Sequence, residues 1–219
     1  PSADQVQAWR KQHRLGNVPL MLSVGRLTRR KGLREFVLHA LPEILATHPT
    51  ARLVVVGEEP HAALTSATVG LDALQEATRH IGAQDRLSIL GVLSDEELGL
   101  AYRATSALIF PVLDIPGDIE GFGMVAIEAA AYGLPTVAFA VGGVPDAVSE
   151  GLSGKLLSPG DYSGMAKSVI HYLHGVPETT AITCRAFASD FSWSRFGVRL
   201  RQLCGALTIQ TGTFERTQP

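Results

Sequence analysis

Two carboxylates bracket a glycine turn in Glu120-Gly-Phe-Gly-Met-Val-Ala-Ile-Glu128, and the turn runs into the alanine-rich stretch Ala129-Ala-Ala-Tyr-Gly-Leu-Pro135. Alanine content and apolar character predict a helix there, with Glu120 on the loop before it and Glu128 one to two turns past its start. The amides of Gly123, Met124 and Val125 then open the helix, where unpaired N–H groups and the positive dipole end favour an anion. Gly121 and Gly123, on either side of Phe122, carry no Cβ and let a ligand approach the backbone. This is the chemistry of a cradle for a phosphorylated ligand, with an acid on each side.

A second group lies at Gly25-Arg26-Leu-Thr-Arg29-Arg30-Lys31-Gly32, with Arg34 just beyond. Cations at the start of a predicted helix oppose its dipole, and a phosphate site would justify them. Arg26 and Lys31 flank a glycine turn at the carboxyl end of the first predicted strand and are the candidates for that role. Arg29, Arg30 and Arg34 read as a solvated basic loop. Glu120 and Glu128 invite comparison with an acid–base dyad. The alternative is hydroxyl recognition: Glu120 would bind sugar hydroxyls, since a loop carboxylate beside an anion needs another task. Glu128 reads either as a ribose acceptor or as a carboxylate on a helix surface. His171 and His174 share a helix face without a third ligand and suggest no metal site. Gly142-Gly143 reads as a turn before a helix.

Positioning these groups falls to alternating elements. Apolar runs predict strands at Leu20–Val24, Arg52–Val56, Leu87–Leu90, Ala107–Phe110, Thr136–Phe139 and Lys155–Leu157. Helical spacing predicts helices from Gly32 to Thr47, Leu71 to Ile81, Asp95 to Ala104 behind a Ser94 cap, and Tyr162 to Leu173, with a short one from Pro145. Strands alternating with helices imply an α/β fold, a parallel sheet with helices on both faces, binding ligands beyond the carboxyl ends of its strands. The 219 residues suit one domain, and a formal net charge of −2 gives no support for a nucleic-acid surface. The longest apolar run, 124–144, is broken by Glu128, Gly133 and Pro135 and does not read as a membrane span. Cys184 and Cys204 have no metal-ligand spacing, and a reduced cytosolic setting is the default.

The Glu120…Glu128 stretch resembles the Glu-x7-Glu motif of retaining glycosyltransferases of the GT-B fold, family GT4 in particular. Gly25-Arg26 through Lys31-Gly32 is similar to that family's diphosphate clamp. Arg86 to Gly91 followed by Ser94-Asp95, Gly133-Leu-Pro135, Gly142-Gly-Val-Pro-Asp146, Gly151 to Lys155 and Phe191-Ser-Trp193 resemble further landmarks in the expected order. The resemblance spans about residues 18–205 and is more specific as an ordered set than any single motif.

The resemblance implies a Rossmann-like nucleotide-sugar-binding domain over 18–210, after a leading polar segment 1–17 and before a polar tail 211–219. Gly25, Arg26 and Lys31 would hold the donor diphosphate, with the amides at Gly123 to Val125, and ease its departure. Glu120 would contact the donor sugar, Glu128 the ribose, and Leu93 would lie near the base. The donor is a nucleotide-diphosphate sugar, the transfer of hexosyl type proceeds with retention, and no metal or cofactor need be invoked. Only the donor half is expected here: the Pro1 start fits an excised domain, inactive by itself. A glycan or lipid-linked acceptor would be held mainly by an absent N-terminal domain. The implied setting is glycan or polysaccharide biosynthesis in the cytoplasm, the inner face of the membrane included, with membrane contact at most peripheral. Two departures stand out: Gly57-Glu-Glu-Pro60 replaces the usual Gly-x-Gly-Pro, and the loop 113–119 is longer than in some members. A non-catalytic nucleotide-binding module of the same fold is the alternative from another class. A GT-B sugar epimerase would need an acid–base group that the sequence does not present.

Overall fold

The computed structural model describes residues 1–59 and 70–211, with side chains to residue 204. Its centre is a parallel sheet of six strands: β1 (Leu20–Val24), β2 (Arg52–Val56), β3 (Leu87–Gly91), β4 (Ala107–Phe110), β5 (Thr136–Phe139) and β6 (Gly154–Leu157). They lie in the order β3-β2-β1-β4-β5-β6. β1 pairs with β2 from Leu20↔Arg52 to Val24↔Val56, and with β4 through Met21↔Ala107 and Leu22↔Leu108. The apolar runs are explained by this placement, because a strand covered on both faces has no solvated side to carry polar residues. Leu20, Met21, Leu22, Leu53, Leu108 and Phe139 are fully buried.

Strand order reverses between β1 and β4, so the loops leaving their carboxyl ends turn apart and open a crevice between them. Gly25, Arg26, Lys31 and Glu120 to Gly123 fall on those two loops, Met124, Val125 and Glu128 on the helix that follows the second, and Leu93 beyond β3. Helices cover both faces of the sheet. One set comprises α2 (Leu33–His39), α3 (Leu41–Thr47), α4 (Leu71–His80) and α8 (Tyr162–Leu173), which pack on one another. The other pairs α1 (Ala3–Gln12) with α5 (Asp95–Ala104), and α6 (Met124–Ala131) with α9 (Glu178–Ser189). The short α7 (Val144–Ala147) follows β5, and α10 (Trp193–Thr211) ends the described chain. α5 begins with a capping box in which the Ser94 hydroxyl accepts from the Glu97 amide and Glu97 reaches back to Ser94. α1 has the same device at Ser2 and Gln5 and sinks Trp9 into the core.

The structure differs from the sequence reading at the helix predicted from Gly32 to Thr47. It is two helices that meet at Ala40. Pro42 is the cause: it brings no N–H to the helical ladder, and its ring would crowd the carbonyl four residues earlier. Both halves keep their apolar side inward, with Leu33, Phe36, Val37, Leu41 and Ile44 buried. Most of the tail expected from residue 211, its part from 212 onward, lies outside the described residues, as does Pro60.

Candidate functional site

The loop after β1 carries the cations. It tightens into a 3-10 turn over Arg29–Lys31 and is closed by Gly32 in the left-handed region. The carbonyl of Arg30 accepts from the Leu113 amide at 2.8 Å, which ties this turn to the loop after β4. Lys31 folds back over the strand end, its Cε 3.4 Å from where a Cβ on Gly25 would stand. Its ammonium lies 4.8 Å from the centroid of the Phe110 ring, within cation–π range. The same ring closes on the turn before α6, with its edge 2.7 Å from the position of a Cβ on Gly123. Phe110, at the end of β4, therefore sits between the Lys31 ammonium and the Gly123 turn. The two halves of the candidate cradle meet across the crevice.

Glu120 joins them. Its Oε2 accepts from Lys31 Nζ at 2.8 Å and also from Arg30 Nη1. Burial works to raise its pKa, but the hydrogen bonds and charges of Lys31 and Arg30 outweigh it and hold the carboxyl below its usual range. Lys31 is also lowered. Its own burial is the largest cause and, with the charges of Arg30 and Arg26, exceeds the pull of Glu120. The two cations secure the acid as an anion, while burial keeps the Lys31 ammonium below its ordinary value.

The main chain of this loop is held from β5. Gly143 donates its amide to the Glu120 carbonyl at 2.8 Å, and a Cβ on Gly143 would stand 2.0 Å from the Gly121 carbonyl oxygen. Gly142-Gly143 thus makes the predicted turn before α7 and also fixes the height of the Glu120-Gly121 peptide. Phe122 packs on Phe191, while Met124 is 60% exposed at the open end of α6. The Met124 and Val125 amides, the first of α6, have no acceptor within the helix.

Glu128 has a different neighbourhood. Its Oε2 accepts from the Tyr102 hydroxyl at 2.8 Å, and Tyr102 stacks on Tyr132 with ring centroids 5.5 Å apart. Burial, then the charge and hydrogen bond of Glu128, push the phenol's pKa upward, so Tyr102 remains a donor. The carboxylate borders a cleft of about 360 Å³ between α5 and α6, lined also by Asp95, Leu98 and Gly99. Glu120 and Glu128 share no partner among the described residues, an arrangement unlike an acid–base dyad. Leu93 is half-buried against the core beyond β3, and Val92 is 67% exposed. No group of three or more His, Cys, Asp or Glu among the described residues could hold a metal ion.

Arg26 is exposed on the same loop as Lys31 and close enough to act on its charge. Arg29 and Arg34 are exposed, in keeping with a solvated loop. Arg30 corrects that reading: only 8% exposed, it pairs with Asp118 through Nε at 3.0 Å as well as with Glu120. The carboxylates it meets lie 88 and 90 residues further along the chain, so spacing gave no sign of them. Tyr102 was missed as well, for it reads in the sequence as one more aromatic on an amphipathic helix.

The departure at Gly57 keeps the rim intact. Gly57 has φ 134°, and a Cβ there would meet the Gly25 carbonyl oxygen at 2.1 Å. The Gly25 amide donates to Val56, the Leu27 amide to Glu58 and the Gly57 amide to Gly91. Glu59 accepts from the Leu71 amide at the start of α4.

The family model described as glycosyl transferases group 1 matches residues 5–186. A glycogen synthase of Mycobacterium tuberculosis is 32% identical over 187 residues, which cover 84% of this chain and 41% of that protein. A D-inositol 3-phosphate glycosyltransferase of Mycolicibacterium smegmatis is 33% identical over 157 residues, 70% of this chain and 34% of that protein. The chain therefore spans less than half the length of these curated relatives. In fold it is similar to Anabaena Alr3699/HepE, solved in complex with UDP-glucose, with TM-score 0.73 at 23% identity over 95% of this chain and 53% of that one.

Proposed function

From the premise that the chain belongs to the glycosyl transferases group 1 family, we propose that it is the donor-binding half of a retaining glycosyltransferase with a nucleotide-diphosphate sugar as donor. One observation carries this reading: the Lys31 ammonium, the Glu120 carboxylate and the Gly123 turn converge around Phe110 at the carboxyl ends of β1 and β4. On this reading residues 18–210 make the donor domain. The relatives support it by their names, and the Anabaena neighbour by the UDP-glucose it holds.

In this mechanism Lys31 and Arg26 take the diphosphate from one side of the crevice, and the Met124 and Val125 amides take it from the other. Glu120 accepts from hydroxyls of the donor sugar, Glu128 accepts from the ribose, and Leu93 borders the base. The bond between the anomeric carbon and the diphosphate oxygen breaks as fixed positive charge stabilises the departing anion, an effect typically worth several kcal/mol. The acceptor hydroxyl, held mainly by a domain outside this chain, attacks from the same face. Its proton passes to the departing phosphate oxygen, which gives retention without a protein nucleophile.

Calorimetric titration of the chain with UDP, GDP and ADP tests the donor site. Binding of at least one, weakened by about tenfold or more in Arg26→Ala and Lys31→Ala, is the expected result. No binding by wild type, or unchanged affinity in both variants, refutes it.

A further inference from the structure

The Glu120 carboxylate has two cationic partners where one would neutralise it, and they differ in kind. Lys31 is a single point charge on a flexible stem, 15% exposed, and rotation of that stem can carry its ammonium from Glu120 toward an incoming diphosphate. Arg30 is not. Its guanidinium is a planar fork whose Nε donates to Asp118 Oδ1 at 3.0 Å while Nη1 donates to Glu120. Its side chain is 10% exposed, and those of Asp118 and Glu120 are 20% and 12% exposed.

The backbone adds a third tie. The Arg30 carbonyl takes the Leu113 amide, so one residue braces the loop 113–120 at its beginning and twice near its end. That loop turns tightly over an Ile115↔Asp118 bridge, which brings Asp118 back beside Arg30. The loop length that departs from some family members thus has a use: it delivers the acid that anchors the arginine.

We infer that Arg30 is a positioning residue: anchored by Asp118, it holds the Glu120 carboxylate in place for the donor sugar when Lys31 leaves it for the diphosphate. The inference rests on the donor-site reading above. Without Arg30, the departure of Lys31 would leave the Glu120 carboxylate beside the diphosphate with neither of the two cations that hold it. The like-charge repulsion would swing Glu120 out of the crevice. A lysine could satisfy only one of the two acids, because it lacks the fork.

The test compares affinities of the whole chain for UDP with UDP-glucose, for GDP with GDP-mannose and for ADP with ADP-glucose. In Arg30→Met the affinity for the nucleoside diphosphate stays within about threefold of wild type, while the affinity for the matching nucleotide sugar falls about tenfold further. Asp118→Asn moves the same ratio in the same direction by a smaller factor and serves if Arg30→Met does not fold. Arg30→Lys recovers part of the loss. The decisive readout is non-additivity: combined with Glu120→Gln, Arg30→Met adds less than about a twofold loss, because it acts through that carboxylate.

Equal loss for nucleoside diphosphate and nucleotide sugar overturns the inference, since Arg30 would then serve the diphosphate or the fold at large. Losses that multiply in the double variant overturn it too. A wild-type chain that binds none of UDP, GDP and ADP fails before any variant is made, and that outcome refutes the donor reading together with the role built on it.

Discussion

Replacing Tyr102 by Phe removes one oxygen atom and leaves nearly everything else in place. Tyr102 is 2% exposed, and its ring keeps its stack on Tyr132 without the hydroxyl. What is lost is a 2.8 Å hydrogen bond to the Glu128 carboxylate. Hydrogen bonds to charged groups contribute about 1.5–3 kcal/mol. Glu128 is half-buried, so water can replace the phenol, which sets the cost near the lower limit, about 1.5 kcal/mol. For a chain of this size that lowers the melting temperature by about 3–6 °C.

The same substitution frees the Glu128 side chain to turn away from the cleft. If Glu128 accepts from the ribose, affinity for the nucleoside diphosphate that the chain binds falls about three- to tenfold, or ~0.7–1.4 kcal/mol. Inorganic pyrophosphate, which has no ribose, should bind Tyr102→Phe as it binds wild type. Scanning calorimetry and titration with the two ligands give the three numbers. An unchanged melting temperature would show that the hydrogen bond contributes nothing. Equal weakening of pyrophosphate and nucleotide would remove Glu128 from the ribose and undo the separation of the two glutamates into different tasks.

Two further outcomes are expected. Gly57→Ala forces a Cβ to within 2.1 Å of the Gly25 carbonyl at φ 134° and should cost about 2–4 kcal/mol, read as a lower urea midpoint; a midpoint equal to wild type contradicts the close approach. Because the folded pKa of Glu120 is depressed, its contribution to stability is present above its unfolded value of about 4.3 and lost as pH falls through the lower folded value. Melting curves between about pH 3 and 7 should therefore fall less steeply on the acid side for Glu120→Gln than for wild type, and parallel curves would contradict the depressed pKa.

The sheet was legible because burial on both faces leaves a chemical trace: Leu20–Val24, interrupted only by Ser23, and Ala107–Phe110 are apolar runs that no solvated element would carry. The break at Ala40 was obscured for a related reason. Leu33 to Leu45 keeps its period across two helices that face the same core, and Pro42 was the one residue that contradicted a continuous helix. α9 left little trace, since Thr179, Thr180, Ile182 and Thr183 are indifferent helix formers and its stability comes from packing on α6. In the candidate site, residues on short local motifs could be named from their glycines. Arg30 and Tyr102 could not, because what distinguishes Arg30 from Arg29 or Arg34 is a carboxylate that the chain delivers only after building three more strands.

The rim of the crevice is laced together by peptide groups: Gly25 to Val56, Leu27 to Glu58, Gly57 to Gly91. None of these links consults a side chain. Glu58 and Val92, which are exposed beside that lacing, can therefore be exchanged without redrawing its outline. On the donor reading, such a scaffold lets selectivity drift from one base to another while the architecture beneath stays put, and it marks those two positions as the place to begin retuning what the chain accepts.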